Sequence, residues 1–195
     1  MQNKILIAPS LLSADFGRIA EEIRDVEKGG CDLLHLDIMD GHFVPNLTIG
    51  PPVIKSLRKT TKLTFDAHLM IDEPIHYVED YRKAGADWIT IHVESTKKVS
   101  QTLDKIAALG AKVGISLRPK TPLEAIFPYL AKLHLVLIMT VEPGFGGQSF
   151  MPEMLEKVRS LRTKFKGLIS VDGGINPQTA VDCLKAGADI LVAGT

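Results

Sequence analysis

The chain has 195 residues, 45% of them hydrophobic, which is enough to bury a sizeable core as one domain. Its 23 basic and 23 acidic residues cancel, so bulk charge points to neither nucleic acid nor an anionic membrane surface, and any anionic ligand must be held by local groups. No apolar run is long enough to span a bilayer, and the stretch before Pro9 is too short for the hydrophobic region of a signal peptide, which leaves the cytoplasm as the expected compartment.

In chain order, strands are expected near residues 4–8, 33–38, 63–69, 88–93, 112–117, 133–139, 167–172 and 189–193. Helices are expected between them, near 15–28, 51–58, 74–84, 97–109, 122–130, 151–165 and 177–186. Asp15, Thr121 and Asn176 stand at helix starts as caps, and Pro51, Pro74, Pro122, Pro152 and Pro177 fall in first turns. A helix-to-strand unit repeats: Lys28-Gly29-Gly30-Cys31-Asp32 returns as Lys83-Ala84-Gly85-Ala86-Asp87 and as Lys185-Ala186-Gly187-Ala188-Asp189, each ahead of an apolar strand. This is the short connection of a βαβ unit. The strands read as continuous apolar runs, as expected when both faces are covered. Eight of them alternating with helices predict an α/β fold, a (β/α)8 barrel in a single domain over residues 1–195. The sequence stops at Ala193-Gly194-Thr195, directly after strand eight, without the helix that would cover it. We expect the native chain to continue, since a bare parallel strand exposes apolar surface. Cys31 and Cys183 have neither zinc-site nor redox spacing and read as structural thiols.

Chemistry gathers at the C-terminal ends of the strands, where barrels of this kind place their sites. Side chains alternate along a strand, so His35, Asp37 and Met39 share one face, as do Asp66, His68 and Met70, while Asp172 ends strand seven. Taken singly these are polar residues at strand ends. Together, His35, Asp37, His68 and Asp172 form a donor set suited to one divalent first-row ion: zinc, iron(II), manganese or cobalt, with zinc favoured. Asp66 suits either an acceptor that orients a ligand histidine or an ion pair inside the barrel. Gly144, Phe145, Gly146 and Gly147 follow strand six, Gly173 and Gly174 follow strand seven, and Gly194 and Thr195 follow strand eight. Clustered glycines let backbone N–H groups close on a phosphate. Met39, Met70 and Met139 read equally as pocket wall or as core. The loop from Asp40 to Gly50 is long, and it is expected to border the pocket, with Phe43 closing over substrate or meeting a neighbouring subunit.

Five runs resemble ribulose-phosphate 3-epimerases in the family's order and across essentially the whole chain: Ile7–Phe16, His35–Asn46, Asp66–Met70, Met139–Gln148 and Val171–Ile175. The resemblance implies a TIM barrel, one divalent ion on His35, Asp37, His68 and Asp172, and interconversion of D-ribulose 5-phosphate and D-xylulose 5-phosphate. It also implies contact with substrate or its phosphate at Ser10, His35, His68, Gly146, Gly147, Gly174, Gly194 and Thr195. The family usually has Ser where Thr195 stands, and often Asn or Lys where Ser116-Leu117-Arg118-Pro119 ends strand five. Epimerising carbon 3 next to a ketone needs a base on one side and an acid on the other, and Asp37 and Asp172 are assigned those roles, exchanging them with reaction direction. A homo-oligomer is expected. An epimerase for a hexulose 6-phosphate, such as D-allulose 6-phosphate, and a non-catalytic sugar-phosphate-binding barrel are the rival readings.

Overall fold

Period-two alternation builds the strands and decides what each face meets. In Leu33–Met39 the outward residues Leu34, Leu36 and Ile38 are fully buried in one continuous layer with Ile23, Ile54, Leu57, Leu103, Ile106, Val158 and Leu161 from the helices. Each such side chain contributes roughly 1.5–3 kcal/mol through removal from water. The inward residues form a gradient instead. Leu33, Trp88, Leu135 and Ile190 plug the N-terminal end of the interior, and polar side chains fill the C-terminal end.

A computed structural model describes residues 4–194. Eight strands run parallel: β1 (Leu6–Pro9), β2 (Leu33–Met39), β3 (Thr64–Met70), β4 (Trp88–His92), β5 (Lys112–Leu117), β6 (Leu135–Met139), β7 (Leu168–Asp172) and β8 (Ile190–Ala193). Their order around the sheet is β1-β8-β7-β6-β5-β4-β3-β2. A parallel bridge between Ser10 and His35 brings the two ends together, so the sheet is a nearly closed barrel. Around it lie α1 (Ile19–Lys28), α2 (Pro51–Leu57), α3 (Val78–Ala84), α4 (Val99–Ala108), α5 (Leu155–Arg162) and α6 (Pro177–Ala186). No described helix is long and apolar enough to cross a membrane.

The strands match expectation to within two residues, and several helices begin later than the sequence suggests. Asp15 caps a turn by accepting from the Gly17 N–H at 2.9 Å, so α1 starts only at Ile19. Pro74 and Pro152 open short 3₁₀ turns ahead of α3 and α5 rather than the α-helices themselves. The helix expected over 122–130 is a run of 3₁₀ turns, Leu123–Lys132, with Pro128 inside it. Proline brings no N–H and its ring crowds the preceding turn, so a regular α-helix cannot pass through. Thr121 is therefore not an α-helix cap. Asn176 is one: its side chain accepts from Gln178 and Thr179 while the Thr179 hydroxyl accepts from the Asn176 N–H, which fixes the start of α6 just beyond β7.

The repeated unit carries a device at the N-terminal end of the barrel. Asp32, Asp87 and Asp189 each accept the backbone N–H of the second residue of a neighbouring strand, from Ile7 at 2.9 Å, Phe65 at 2.9 Å and Ile169 at 2.8 Å. Arg58 meets Asp87 at 3.1 Å and Arg162 meets Asp189 at 3.2 Å. In the second copy of the repeat the glycine is required by both conformation and space: Gly85 has φ +118°, and a Cβ there would stand 2.7 Å from the Arg58 side chain.

Candidate active site

Register sets the depth of each inward residue. Asp37 lies level with His68, and Met39 with Met70, across β2 and β3; Met139 lies level with Asp172 across β6 and β7. The strand ends are pinned. The Asp37 carbonyl accepts the Thr48 hydroxyl at 2.5 Å, and the buried Thr140 ties down the end of β7 by donating its N–H and hydroxyl to the Asp172 carbonyl, both at 2.8 Å.

One donor atom from each of His35, Asp37, His68 and Asp172 falls within 4.8 Å of all the others. His35 Nε2 is 3.5 Å from Asp37 Oδ1, 3.3 Å from His68 Nδ1 and 3.8 Å from Asp172 Oδ2, and His68 Nδ1 is 3.4 Å from Asp37 Oδ1. Donors about 2.0–2.2 Å from one tetrahedral ion stand roughly 3.3–3.6 Å apart, so the set has the dimensions of an ion cage. Its electrostatics agree. Burial works against charge on His35, yet the carboxylates of Asp37 and Asp66 outweigh it and raise that imidazole well above its ordinary value. Burial likewise opposes ionisation of Asp37, and the two histidines overcome it and hold the carboxyl below the usual range. Asp172, mostly withdrawn from solvent and beside Asp37, is pushed up to about 6. Buried carboxylates so close together call for a compensating positive charge.

Partners outside the cage orient the donors. Asp66 Oδ2 lies 2.9 Å from His35 Nδ1, which turns Nε2 toward the cage. Both readings from sequence meet in this one contact: Asp66 is the acceptor beneath His35, and the pair is an ion pair inside the barrel when that imidazole is protonated. Ser10 donates its hydroxyl to Asp37 Oδ2 at 2.6 Å, leaving Oδ1 facing inward.

Above the cage opens a small pocket at the C-terminal mouth of the barrel, partly open to solvent. Asp37 and Asp172 reach it from strands three places apart around the ring. Met39, Met70 and Met139 line it, as do Ser10, Gly144, Phe145, Gly146, Gly147, Gly173, Gly174 and Gly194. His35 and His68 are fully buried beneath it and do not line it. Thr195 lies outside the described residues. Gly174 has φ +64°, and a Cβ there would come within 2.7 Å of the Phe150 backbone nitrogen. Among the described residues, the N–H groups of Gly146, Gly147 and Gly174 have no partner within the chain and remain free for a ligand.

The loop after β2 stands beside this pocket. Asp40 folds it by accepting from the His42 and Phe43 N–H groups at 2.8 and 2.9 Å, and Asn46 donates to the Gly144 carbonyl at 2.7 Å, joining it to the glycine loop. Phe43 is half-buried and packs against Met39 and Met70 from outside the pocket rather than lining it. Sequence reasoning passed over Ser13 and Gln148. Ser13 lines the pocket, and Gln148 braces the glycine loop by donating to the Glu142 and Phe145 carbonyls at 2.6 and 2.9 Å. It also passed over His92, whose ring meets His68, although the alternation that found His35 and Asp37 also places Trp88, Thr90 and His92 on the inner face of β4.

Comparisons with known proteins bear on both fold and site. At 14% identity, a mutant tryptophan synthase α-subunit from Pyrococcus furiosus superposes with a TM-score of 0.78 over 100% of this chain and 89% of that one. A thiamine phosphate pyrophosphorylase from the same organism gives 0.67 at 19% identity, over 98% of this chain and 86% of the other. These likenesses concern the barrel alone. Sequence relatives are far nearer: the cytoplasmic isoform of ribulose-phosphate 3-epimerase from Oryza sativa is 55% identical over 97% of this chain and 85% of its own length. The ribulose-phosphate 3-epimerase of Bacillus subtilis is 48% identical over 98% of this chain and 91% of its own. The model of the ribulose-phosphate 3 epimerase family matches residues 6–195, and with that match and these identities the chain belongs to that family.

Proposed function

We propose that this chain is an isomerase that epimerises carbon 3, interconverting D-ribulose 5-phosphate and D-xylulose 5-phosphate in carbohydrate metabolism. The observation that carries the proposal is the pair of carboxylates, Asp37 and Asp172, reaching one pocket from separated strands at the rim of a four-donor cage. The whole chain, residues 1–195, serves as a single sugar-phosphate-binding domain. His35, Asp37, His68 and Asp172 hold one divalent ion, with zinc the first choice for two imidazoles and two carboxylates at tetrahedral spacing. When bound, the ion supplies Lewis-acid charge that stabilises the enediolate formed from the ketose.

The chain's own residues do the rest. Asp37, held by Ser10, takes or returns the carbon-3 proton on one side of the flat intermediate, and Asp172 does so on the other; the two exchange roles with reaction direction. Met39, Met70 and Met139 keep water from the intermediate with apolar, polarizable walls. Gly144, Gly146, Gly147, Gly173, Gly174 and Gly194, together with the Phe145 backbone and the Thr195 hydroxyl, take the phosphate, whose binding energy positions the reacting carbon. The rice relative's name supports a cytoplasmic setting; a homo-oligomer remains part of the proposal.

The test is proton exchange. Wild-type turnover in deuterium oxide should place deuterium at carbon 3, and Asp37→Asn should cut epimerisation about 10²- to 10⁴-fold while zinc, measured on the same sample, is retained. Near-normal turnover with the ion in place removes Asp37 from the mechanism.

A further inference from the structure

The two histidines of the cage are oriented in different ways. His35 rests directly on a carboxylate, Asp66. His68 presents Nδ1 to the cage, and its other nitrogen, Nε2, lies 2.8 Å from Nε2 of His92, a second imidazole that is also fully buried. His92 Nδ1 in turn lies 3.2 Å from Glu94 Oε2. Only one proton fits between the two Nε2 atoms. For Nδ1 of His68 to offer a lone pair, its proton must sit on Nε2, so His92 Nε2 must accept and the His92 proton must sit on Nδ1, facing Glu94. Glu94 is itself held in place, since its Oε1 accepts the Arg118 N–H at 2.8 Å.

We infer that His92 and Glu94 are positioning residues that fix the tautomer of His68, so that ion affinity in the cage depends on a carboxylate two hydrogen bonds away from the ligand atom. The inference rests on the proposal that His68 Nδ1 faces a divalent ion. It gives a role to contacts that the catalytic reading leaves idle. Phe43 packs on His92, with ring centroids 4.9 Å apart. The Arg118 guanidinium lies 4.3 Å from the Phe43 ring centroid and donates to the Phe43 carbonyl at 2.6 Å. The loop after β2 and the end of β5 thus cover the relay and shut out water that would offer His92 a competing partner.

Glu94→Gln tests this with little change of shape. An amide offers N–H to His92 Nδ1 as readily as it offers a carbonyl, so neither tautomer is selected. Zinc-loaded full-length chain should be challenged with graded chelator, and the histidine ¹⁵N shifts of zinc-loaded wild type recorded. Glu94→Gln should weaken zinc affinity about 10- to 100-fold, and wild-type His92 should carry its proton on Nδ1. Wild-type affinity in Glu94→Gln, or a His92 proton on Nε2 in the wild type, overturns the relay. His68→Ala separates the two readings: loss of zinc there without loss in Glu94→Gln defeats the relay alone, while wild-type affinity in His68→Ala defeats the ligand assignment beneath it. Should Glu94→Gln not fold, the wild-type ¹⁵N spectrum decides.

Discussion

At the N-terminal end of the barrel, Asp87 and Asp189 each take a backbone N–H from the preceding strand and an arginine from the end of the helix ahead of that strand. Both carboxylates have partners within the chain, and the product is a fixed strand. At the C-terminal end, Asp37 and Asp172 share a buried space with two imidazoles, and Asp172 is pushed up to about 6 by burial and by Asp37. The same side chain locks the fold where a backbone N–H and an arginine hold it, and becomes available for chemistry where, as at Asp172, burial and a second carboxylate work against its charge.

Paired substitutions break or sharpen this contrast. Asp172→Asn should lower turnover about 10²- to 10⁴-fold while leaving the melting temperature of the chelated protein near wild type. Asp189→Ala should do the reverse, costing on the order of 3 kcal/mol by leaving the Ile169 N–H and Arg162 without their partner. Its kcat should stay within a few-fold of wild type at temperatures where it remains folded. Denaturant melts and steady-state kinetics on both variants check this, and a large kcat loss in Asp189→Ala, or a destabilised Asp172→Asn, would collapse the distinction between the two ends.

An intermediate effect is expected at the glycine loops. Gly146→Val should raise the Michaelis constant for ribulose 5-phosphate, and ribulose without its phosphate should be turned over with much lower kcat/KM by the wild type, because remote binding energy positions the reacting carbon. Equal efficiency on the two sugars would remove phosphate recognition from these loops.

What the sequence discloses divides along the same line. Strand positions and the inner face of β2 and β3 are legible because alternation is local: His35, Asp37, His68 and Asp172 can be placed together from alternation and strand ends before any contact is known. The N-terminal aspartates are visible as a repeat, yet what they do is not, because it depends on an N–H one strand away and an arginine one helix back. His92 and Glu94 are hidden for a similar reason. His92 obeys the same alternation, but nothing in the sequence says that its Nε2 meets that of His68. The 3₁₀ run over Leu123–Lys132 reads as an α-helix from sequence because its apolar pattern outweighs Pro128, which sits in the middle of it.

The smallest expected effects concern the two cation–aromatic contacts that close the ends. At the N-terminal end Lys112 Nζ lies 4.8 Å from the Trp88 ring centroid, over a plug of leucine and isoleucine; at the other end Arg118 covers Phe43. Lys112→Ala should cost about 0.5–1 kcal/mol and leave kinetics untouched, since Trp88 touches nothing that reacts. Phe43→Ala should cost little stability, because the ring is only half-buried, but it uncovers His92 and frees the loop that Asn46 ties to Gly144. A several-fold rise in the Michaelis constant and faster loss of zinc to chelator are the expected results, with the fold intact by circular dichroism. If Phe43→Ala matches wild type in turnover, Michaelis constant, zinc retention and sedimentation, the loop after β2 is a solvated connection, and the C-terminal end of the barrel owes its chemistry to the strand residues alone.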